Sequence, residues 1–231
     1  MQGIRMKRIL PILNFILVAT HLFGQQPESS DMSIPPKSAP IIIEPFISQD
    51  GTSVFTLFNK RIAPQSRFGI YSISEFYGVY EVDNQPFENQ YMAQVNGNVE
   101  LFKNFSLNAG VILTKTAGFR PSAGFLYQLR SRNFFWLFSP RFDLSQTYNS
   151  EIFSFIEYAP KFKNNWGLYT RLQGLYNHNT KNKSHAFSYL RARVGSLYKV
   201  YRFGIAGNFS FYGPDKMNEN QFGVFIGALL F

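Results

Sequence analysis

The feature that most constrains this chain is a period-two alternation of apolar and polar residues, which recurs after residue 40. From Tyr91 to Leu101 the odd positions carry mostly apolar side chains, and the even positions carry Met, Gln, Asn and Glu. The alternation resumes at Phe105, after Lys103-Asn104. Successive side chains of an extended chain point to opposite faces, so each segment predicts a strand with one apolar and one polar face. The two segments predict a hairpin.

Similar segments fill the rest of the chain and predict ten strands, with two further candidates nearer the N-terminus. Transmembrane β-strands need about 9 to 11 residues, a length that most of these segments reach. If both chain ends lie on one side of a membrane, the number of strands is even, and ten or twelve satisfies this condition. We favour twelve. The strands are predicted near 41–48, 54–59, 67–80, 90–102, 105–115, 121–130, 134–146, 151–161, 166–177, 186–199, 203–212 and 221–231.

The connections are predicted to alternate between tight turns and longer polar loops. Turns are predicted at Lys103-Asn104, Arg132-Asn133, Lys163-Asn164-Asn165 and Tyr201-Arg202, and loops near 81–89, 116–120, 147–150, 178–185 and 213–220. Turns at one end and loops at the other are typical of membrane barrels. The sequence therefore predicts an all-β fold, a transmembrane antiparallel up-and-down β-barrel of ten to twelve strands.

The composition agrees with a membrane barrel better than with a plain soluble enzyme. The 231 residues include 26 Phe, 13 Tyr and 2 Trp, and only 16% are charged, whereas about 25% is usual in soluble domains. The chain has no cysteine, which excludes disulfides, thiolate metal sites and a cysteine-linked lipid anchor. No metal site or cofactor is predicted.

The N-terminus has the pattern of a secretory signal peptide. Arg5, Lys7 and Arg8 precede an apolar stretch from Ile9 to Ala19. We predict that residues 1–24 are cleaved near Gly24, that 25–40 form a flexible periplasmic lead-in, and that 41–231 form the barrel. Cleavage would lower the net charge from +9 by the three basic residues removed. The alternative is a membrane-anchoring helix, although the apolar run falls short of the roughly 20 residues that spanning requires.

Together, the signal segment, the alternating strands and the C-terminal strand QFGVFIGALLF resemble outer-membrane β-barrel proteins of Gram-negative bacteria. The resemblance implies Sec-type export to the cell outer membrane, contact with outer-membrane lipid, and recognition of Phe231 by the barrel-insertion machinery. It implies an architecture and a location, and no activity. A soluble secreted ligand-binding barrel with its apolar face turned inward is an alternative.

Most charged residues within the predicted strands alternate with the apolar residues and so lie on the face that points into the lumen. They could form a structural network or a constriction that selects solutes. Bulky lumen residues such as Phe135, Leu137 and Phe155 favour the network. We therefore expect a non-enzymatic barrel, either a narrow low-conductance pore or a structural or surface-interaction protein. The predicted lumen charges are Glu75, Glu100, Arg130, Arg141, Asp143, Glu157, Arg171, Arg191 and Arg193.

A lipid hydrolase is the enzymatic alternative, and His178 and His185 are its candidate bases. Outer-membrane phospholipases, which this chain resembles in size, use a histidine and a serine separated by one residue. The nearest match here is His178-Asn179-Thr180, with threonine in place of serine. Ser184 adjoins His185 directly, and strand neighbours point to opposite faces, so this pair is poorly placed for proton transfer. No catalytic residue is assigned.

The predicted loop between these histidines carries Lys181 and Lys183. The two lysines could be simply solvated, or they could contact phosphate groups of surface lipopolysaccharide. Nucleic-acid binding is not indicated, because the basic residues are dispersed along strands and turns. The sequence does not determine the oligomeric state.

Overall fold

A computed structural model describes residues 39–80 and 89–231, and within them the chain folds into twelve β-strands. A 3-10 turn at Lys163–Asn165 precedes β9. No helix in these two ranges is long and apolar enough to span a membrane. The strands are β1 (Ile41–Ser48), β2 (Gly51–Arg61), β3 (Phe68–Val79), β4 (Gln90–Phe102), β5 (Phe105–Thr114), β6 (Gly118–Arg130), β7 (Phe134–Asp143), β8 (Ser150–Tyr158), β9 (Trp166–Asn179), β10 (Ser184–Tyr198), β11 (Tyr201–Tyr212) and β12 (Met217–Leu230).

The strands close into a single barrel in which each one pairs antiparallel with its neighbours in sequence. The ring is completed by β1 and β12, where Ile41 lies opposite Leu230 and Ser48 lies opposite Gly223. Closure gives the backbone groups of the outermost strands a partner and leaves no open sheet edge. The predicted antiparallel up-and-down barrel is confirmed, with the favoured count of twelve strands.

The two ends of the barrel are distinguished by the chain ends. We call the end where β1 starts and β12 stops the terminal mouth, and the other end the opposite mouth. Connections at the terminal mouth span 62–67, 103–104, 131–133, 159–165 and 199–200, and those at the opposite mouth span 49–50, 80–89, 115–117, 144–149, 180–183 and 213–216. Short and longer connections occur at both mouths, so the predicted separation of turns from loops is wrong.

Several residues that were predicted in turns or loops belong to strands. Tyr201 and Arg202, predicted as a turn, are the first residues of β11 and pair with Tyr198 and Leu197. The actual turn is 199–200, where Lys199 adopts a φ of 55°. Arg120, predicted in a loop, pairs in β6 with Ile112. These errors arise because polar residues extend the strands beyond the point where their apolar alternation ends.

The outer surface of the barrel is apolar. Ile205 is 68% exposed and Ile226 is 60% exposed. Near the terminal mouth, Trp166 packs against Tyr198 and Phe203, with ring centroids 4.9 and 6.1 Å apart. An apolar band bounded by aromatic rings is the surface of a transmembrane barrel. The apolar faces of the strands therefore point outward, opposite to their orientation in a soluble barrel.

The predicted signal segment at 1–24 and residues 25–38 of the predicted lead-in lie outside the described residues. The predicted loop at 81–89 is described only at Asn89.

Candidate functional site

The middle of the lumen is filled by apolar side chains. A cluster of buried residues draws on eight of the twelve strands. Phe55 on β2 and Phe155 on β8 stack across the lumen with ring centroids 6.3 Å apart and planes 12° apart. These strands are six places apart in a ring of twelve, so the contact joins opposite walls. The cluster comprises Ile42, Phe55, Leu57, Tyr71, Ile73, Leu126, Phe135, Leu137, Phe153, Phe155, Leu175 and Tyr189.

Glu44 is the centre of a buried ion triad. Its carboxylate accepts two hydrogen bonds from Arg171, at 2.5 and 2.6 Å, and one from Nε of Arg193 at 2.9 Å. Arg193 also donates to the Oδ1 of Asn208 at 2.8 Å. The triad connects β1 to β9 and β10, several strands away around the ring. Paired guanidinium and carboxylate groups satisfy each other where water is largely excluded.

A second ionic cluster joins β6, β7, β8 and β9. Arg141 donates two hydrogen bonds to Glu151, at 2.8 and 2.7 Å. Asp143 lies 2.5 Å from Arg120 and 3.3 Å from Arg141. The amide of Asn177 donates to Glu151 at 2.7 Å. Each carboxylate in this cluster therefore has a basic partner.

Two single ion pairs complete the charged interior. Glu75 lies 2.5 Å from Arg191, and Glu157 lies 3.0 Å from Arg202. Both pairs connect strands that are not neighbours in the ring. Like the triad, they hold separate parts of the wall together through the lumen.

The guanidinium groups also pack on the aromatic rings that fill the lumen. The Cζ of Arg171 lies 5.4 Å from the ring of Phe55 and 5.2 Å from that of Phe155. Arg191 stacks at 3.9 Å on Tyr189. Such cation-π contacts contribute about 0.5 to 2 kcal/mol each. Ionic and aromatic groups therefore form one continuous filling.

Seven of the nine predicted lumen charges take part in this filling, and two lie at the terminal mouth. Glu100 pairs with Arg61, whose side chain is 52% exposed. Arg130 is exposed at the end of β6 and stacks on Phe135 at 4.1 Å. The seven are Glu75, Arg141, Asp143, Glu157, Arg171, Arg191 and Arg193.

The sequence analysis misses five charged partners of the predicted residues. Arg61, Arg120 and Arg202 lie outside the predicted strands, so alternation does not assign them a face. Glu44 lies on β1, one of the two additional strand candidates near the N-terminus. Glu151 is the first residue of its predicted strand. If the alternation of each predicted strand is continued for two residues at either end, Arg120 and Arg202 fall on the face that points into the lumen.

The candidate histidine pairs are not those that the sequence indicated. No hydrogen bond joins His178 to Thr180 within the described part of the chain, and His185 does not use the adjacent Ser184. The Nε2 of His185 lies 2.9 Å from the Oγ of Ser188, and its Nδ1 lies 2.6 Å from the carbonyl oxygen of Gly213. With the proton on Nδ1 donated to that carbonyl, Nε2 accepts from the serine hydroxyl.

A β-bulge brings these two side chains together. The register of β10 against β9 shifts between His185 and Phe187. Ala186 is the extra residue, so His185 and Ser188, three apart, share the outward face. Strict alternation places them on opposite faces, which is why the pair was missed.

The remaining predicted residues lie at the two mouths. Lys181 and Lys183 are exposed in the β9–β10 connection at the opposite mouth. Phe231 follows β12 at the terminal mouth and is 55% exposed. Among the described residues, no group of three or more His, Cys, Asp or Glu side chains could hold a metal ion.

Comparisons with known proteins give similarity at the level of structure only. No family model matches the sequence, and no curated protein matches it. The NanC porin in its rhombohedral crystal form aligns over 84% of this chain and 100% of its own, with 10% identity and a TM-score of 0.45. The outer membrane protein OpdK from Pseudomonas aeruginosa aligns over 75% of this chain and 65% of its own, with 7% identity and a TM-score of 0.37.

Proposed function

We propose that this protein is a non-enzymatic outer-membrane barrel with a closed lumen, and that it acts as a structural or surface-interaction protein. The observation that carries the proposal is the Phe55–Phe155 stack across opposite walls. A passive diffusion channel needs a continuous aqueous path, whereas these rings and the surrounding apolar cluster occupy the middle of the lumen. Conduction in this state is limited to a narrow low-conductance path.

The charge balance of the interior supports a structural role. Six arginines face five carboxylates in the ion pairs described above, so the filled part of the lumen carries almost no net charge. A constriction that selects ions by charge presents a ring of one sign to the passing solute. Here nearly every charge is neutralised by a partner on another strand, which suits a network that holds the walls together.

Planar-bilayer recording of the purified protein tests this proposal. We expect no large, stable channels, because opening a path requires several packed rings and ion pairs to separate. A wild-type sample that forms such channels would contradict the closed lumen. Circular dichroism of the same sample should show β-structure. This control excludes unfolding as the reason for an absence of channels.

We further propose that the barrel lies in the outer membrane with its terminal mouth in the periplasm. The apolar outer surface supports a membrane location, and the sequence resemblance supports the outer membrane and insertion through Phe231. Fractionation separates this from a soluble secreted barrel, which would not remain with outer membranes. Protease digestion of intact cells tests the orientation, since only the opposite mouth would then be accessible.

A lipid hydrolase is the second candidate function, and the His185–Ser188 contact favours it. The carbonyl of Gly213 fixes the imidazole, and Nε2 can accept the proton of the hydroxyl, which is the geometry of an activated serine. The pair lies on the outward face of β10, where the Ser188 side chain is half-buried and the His185 imidazole is buried. The structural alternative is that the serine and the carbonyl simply satisfy a buried imidazole.

Lipid hydrolysis by the Ser188→Ala and His185→Ala variants decides between these two roles. Hydrolysis by the wild type that either variant abolishes would establish the enzyme. Absent activity, or activity that neither replacement changes, would leave the contact a structural one. His178→Ala is the matched control, because His178 lies beside His185 on the same outward face.

Lys181 and Lys183 are proposed to contact lipopolysaccharide phosphates at the opposite mouth. Their exposure on the β9–β10 connection is compatible with this contact. Replacing both lysines with glutamine should reduce the lipopolysaccharide that co-purifies with the protein. An unaltered amount would count against the contact.

A further inference from the structure

Two adjoining cavities open at the terminal mouth, below the filled part of the lumen. Their volumes are about 340 and 610 Å³, and both are lined in part by Arg130 and Phe231. Cavities that bind small molecules usually measure about 300 to 1,000 Å³. The cavities at the terminal mouth are therefore large enough to bind a small molecule, and side chains of the filled lumen close their inner end.

The smaller cavity is strongly basic. Its lining includes Arg130, Arg132, Lys161, Lys199 and Arg202. Glu157 is the one acidic residue that lines it, and its carboxylate is paired with Arg202. The other four basic residues make no ion pair with a carboxylate among the described residues.

The larger cavity adds three more basic residues, Lys60, Arg61 and Arg67. Its one acidic lining residue, Glu100, is paired with Arg61. Arg67 donates from Nε to the carbonyl of Glu100 at 2.8 Å and from a terminal nitrogen to the carbonyl of Leu101 at 3.3 Å. These carbonyls hold the guanidinium group in place without cancelling its charge.

Arg130 lies where the two cavities meet, and its orientation is fixed by an aromatic ring. Its Cζ stacks 4.1 Å from the ring of Phe135. Stacking on one face leaves the edge of the guanidinium plane, with its five N–H donors, for a ligand. A planar fork held in this way suits a carboxylate or phosphate group.

A chain of amide side chains crosses the lumen beside these cations. Asn98 donates to Asn59 at 2.8 Å, and Asn59 donates to Gln128 at 2.7 Å. All three residues line the larger cavity. They provide neutral donors and acceptors next to the guanidinium groups, which favours a ligand that carries polar groups besides its negative charges.

The opposite mouth does not share this charge. Eight basic and two acidic residues line the terminal cavities. At the opposite mouth the described charged residues are nearly balanced, with four basic and three acidic side chains. They are Asp50, Lys115, Lys181, Lys183, Asp215, Lys216 and Glu219.

From these features we propose that the terminal mouth is a binding site for a small soluble anion with two or more carboxylate or phosphate groups. Arg130 is the central contact, and Arg67 and Arg132 are the flanking ones. The positive field of the mouth would draw such an anion in, and the oriented guanidinium groups would hold it. This binding does not depend on conduction through the lumen, so bilayer recordings and binding measurements test different claims.

Isothermal titration of the full chain in an uncharged detergent at low salt tests the proposal. Citrate and inorganic pyrophosphate are titrated separately as the carboxylate and phosphate probes, and maltose serves as a neutral control. We expect saturable one-to-one binding of at least one anion and none of maltose. Arg130→Gln should weaken the binding about tenfold, and Arg130→Lys, which keeps the charge but not the fork, should weaken it less.

The matched control is Lys181→Gln with Lys183→Gln, which removes two charges from the opposite mouth. Binding should be unchanged in this control. Absence of saturable binding by the wild type, or equal weakening by the control and by Arg130→Gln, would overturn the proposal. If Arg130→Gln does not fold, Arg132→Gln is used in its place, and it should also weaken the binding of the anion. Binding of only one probe supports the proposal and identifies the class of anion.

Discussion

At the scale of single residues, Glu44 is the carboxylate that two buried arginines share in the interior. It is almost completely buried, and both of its partners, Arg171 and Arg193, are buried with it. Removing one member of such a group leaves the others charged and without compensation. That penalty is larger than the net stabilisation that the intact group provides.

We therefore expect Glu44→Gln to destabilise the barrel by about 3 to 5 kcal/mol. The substitution keeps the shape of the side chain and removes the charge that both arginines share. Equilibrium unfolding in urea, followed by tryptophan fluorescence in lipid vesicles, measures the change in the free energy of unfolding.

Glu100→Gln is the matched control for this prediction. Glu100 pairs with an arginine that is half exposed, and exposed pairs contribute about 0 to 1 kcal/mol. Equal losses in the two variants would mean that the triad is no more important for stability than a surface pair.

At the scale of strands, β12 has two separate roles. It closes the ring against β1, and its C-terminal residue is the proposed recognition signal for insertion. Phe231 itself follows the last paired residue and is more than half exposed, so less of its ring is buried than that of a lumen phenylalanine such as Phe155. Its two possible contributions, to stability and to insertion, can therefore be separated.

We expect Phe231→Ala to reduce the amount of protein in the outer membrane while changing the stability of the folded barrel little. The insertion signal is lost, whereas an exposed ring leaves few contacts behind. Outer-membrane fractions and unfolding of the purified protein measure the two effects. Leu230→Ala is the control, and an equal loss of membrane protein in both variants would refute a specific role of the ring.

The strands also show how far the sequence could predict this structure. Alternation predicts the barrel, a strand number of ten to twelve, and the inward position of residues such as Arg171. It failed at strand ends, where polar residues continue the pairing, and at the β10 bulge, which reverses parity at Ala186. The ion partners could not be predicted, because parity gives the face of a side chain and not its height or its position around the ring.

At the scale of the whole molecule, the interior of the barrel is packed like the core of a soluble domain, while its outer surface is apolar. Its interior has an apolar cluster, ion pairs and amide chains, which are the components of a soluble core. Shape and conductance are then linked, because the contacts that stabilise the walls are the same ones that block the path.

We expect the double variant Phe55→Ala with Phe155→Ala to produce resolvable channel openings in planar bilayers. It removes the stack that joins opposite walls, and each Phe→Ala change in a packed interior costs about 3 to 5 kcal/mol. The variant should therefore conduct better and unfold more easily than the wild type.

The control for this variant is Leu172→Ala with Ile205→Ala, two outward residues that leave the lumen unchanged. It should remain as silent as the wild type. Openings of the same size in both double variants would show that the Phe55–Phe155 stack is not what closes the path.

The seam between β1 and β12 also has a consequence for the order of folding. It joins strands from the two ends of the described chain, so its hydrogen bonds are the most non-local in the molecule, and such contacts form slowly. Glu44 belongs to β1, so its triad with Arg171 and Arg193 cannot assemble before that strand arrives. Barrel closure and completion of the interior are thus one late kinetic step, and a partly folded intermediate would carry two uncompensated arginines that disfavour its burial in lipid.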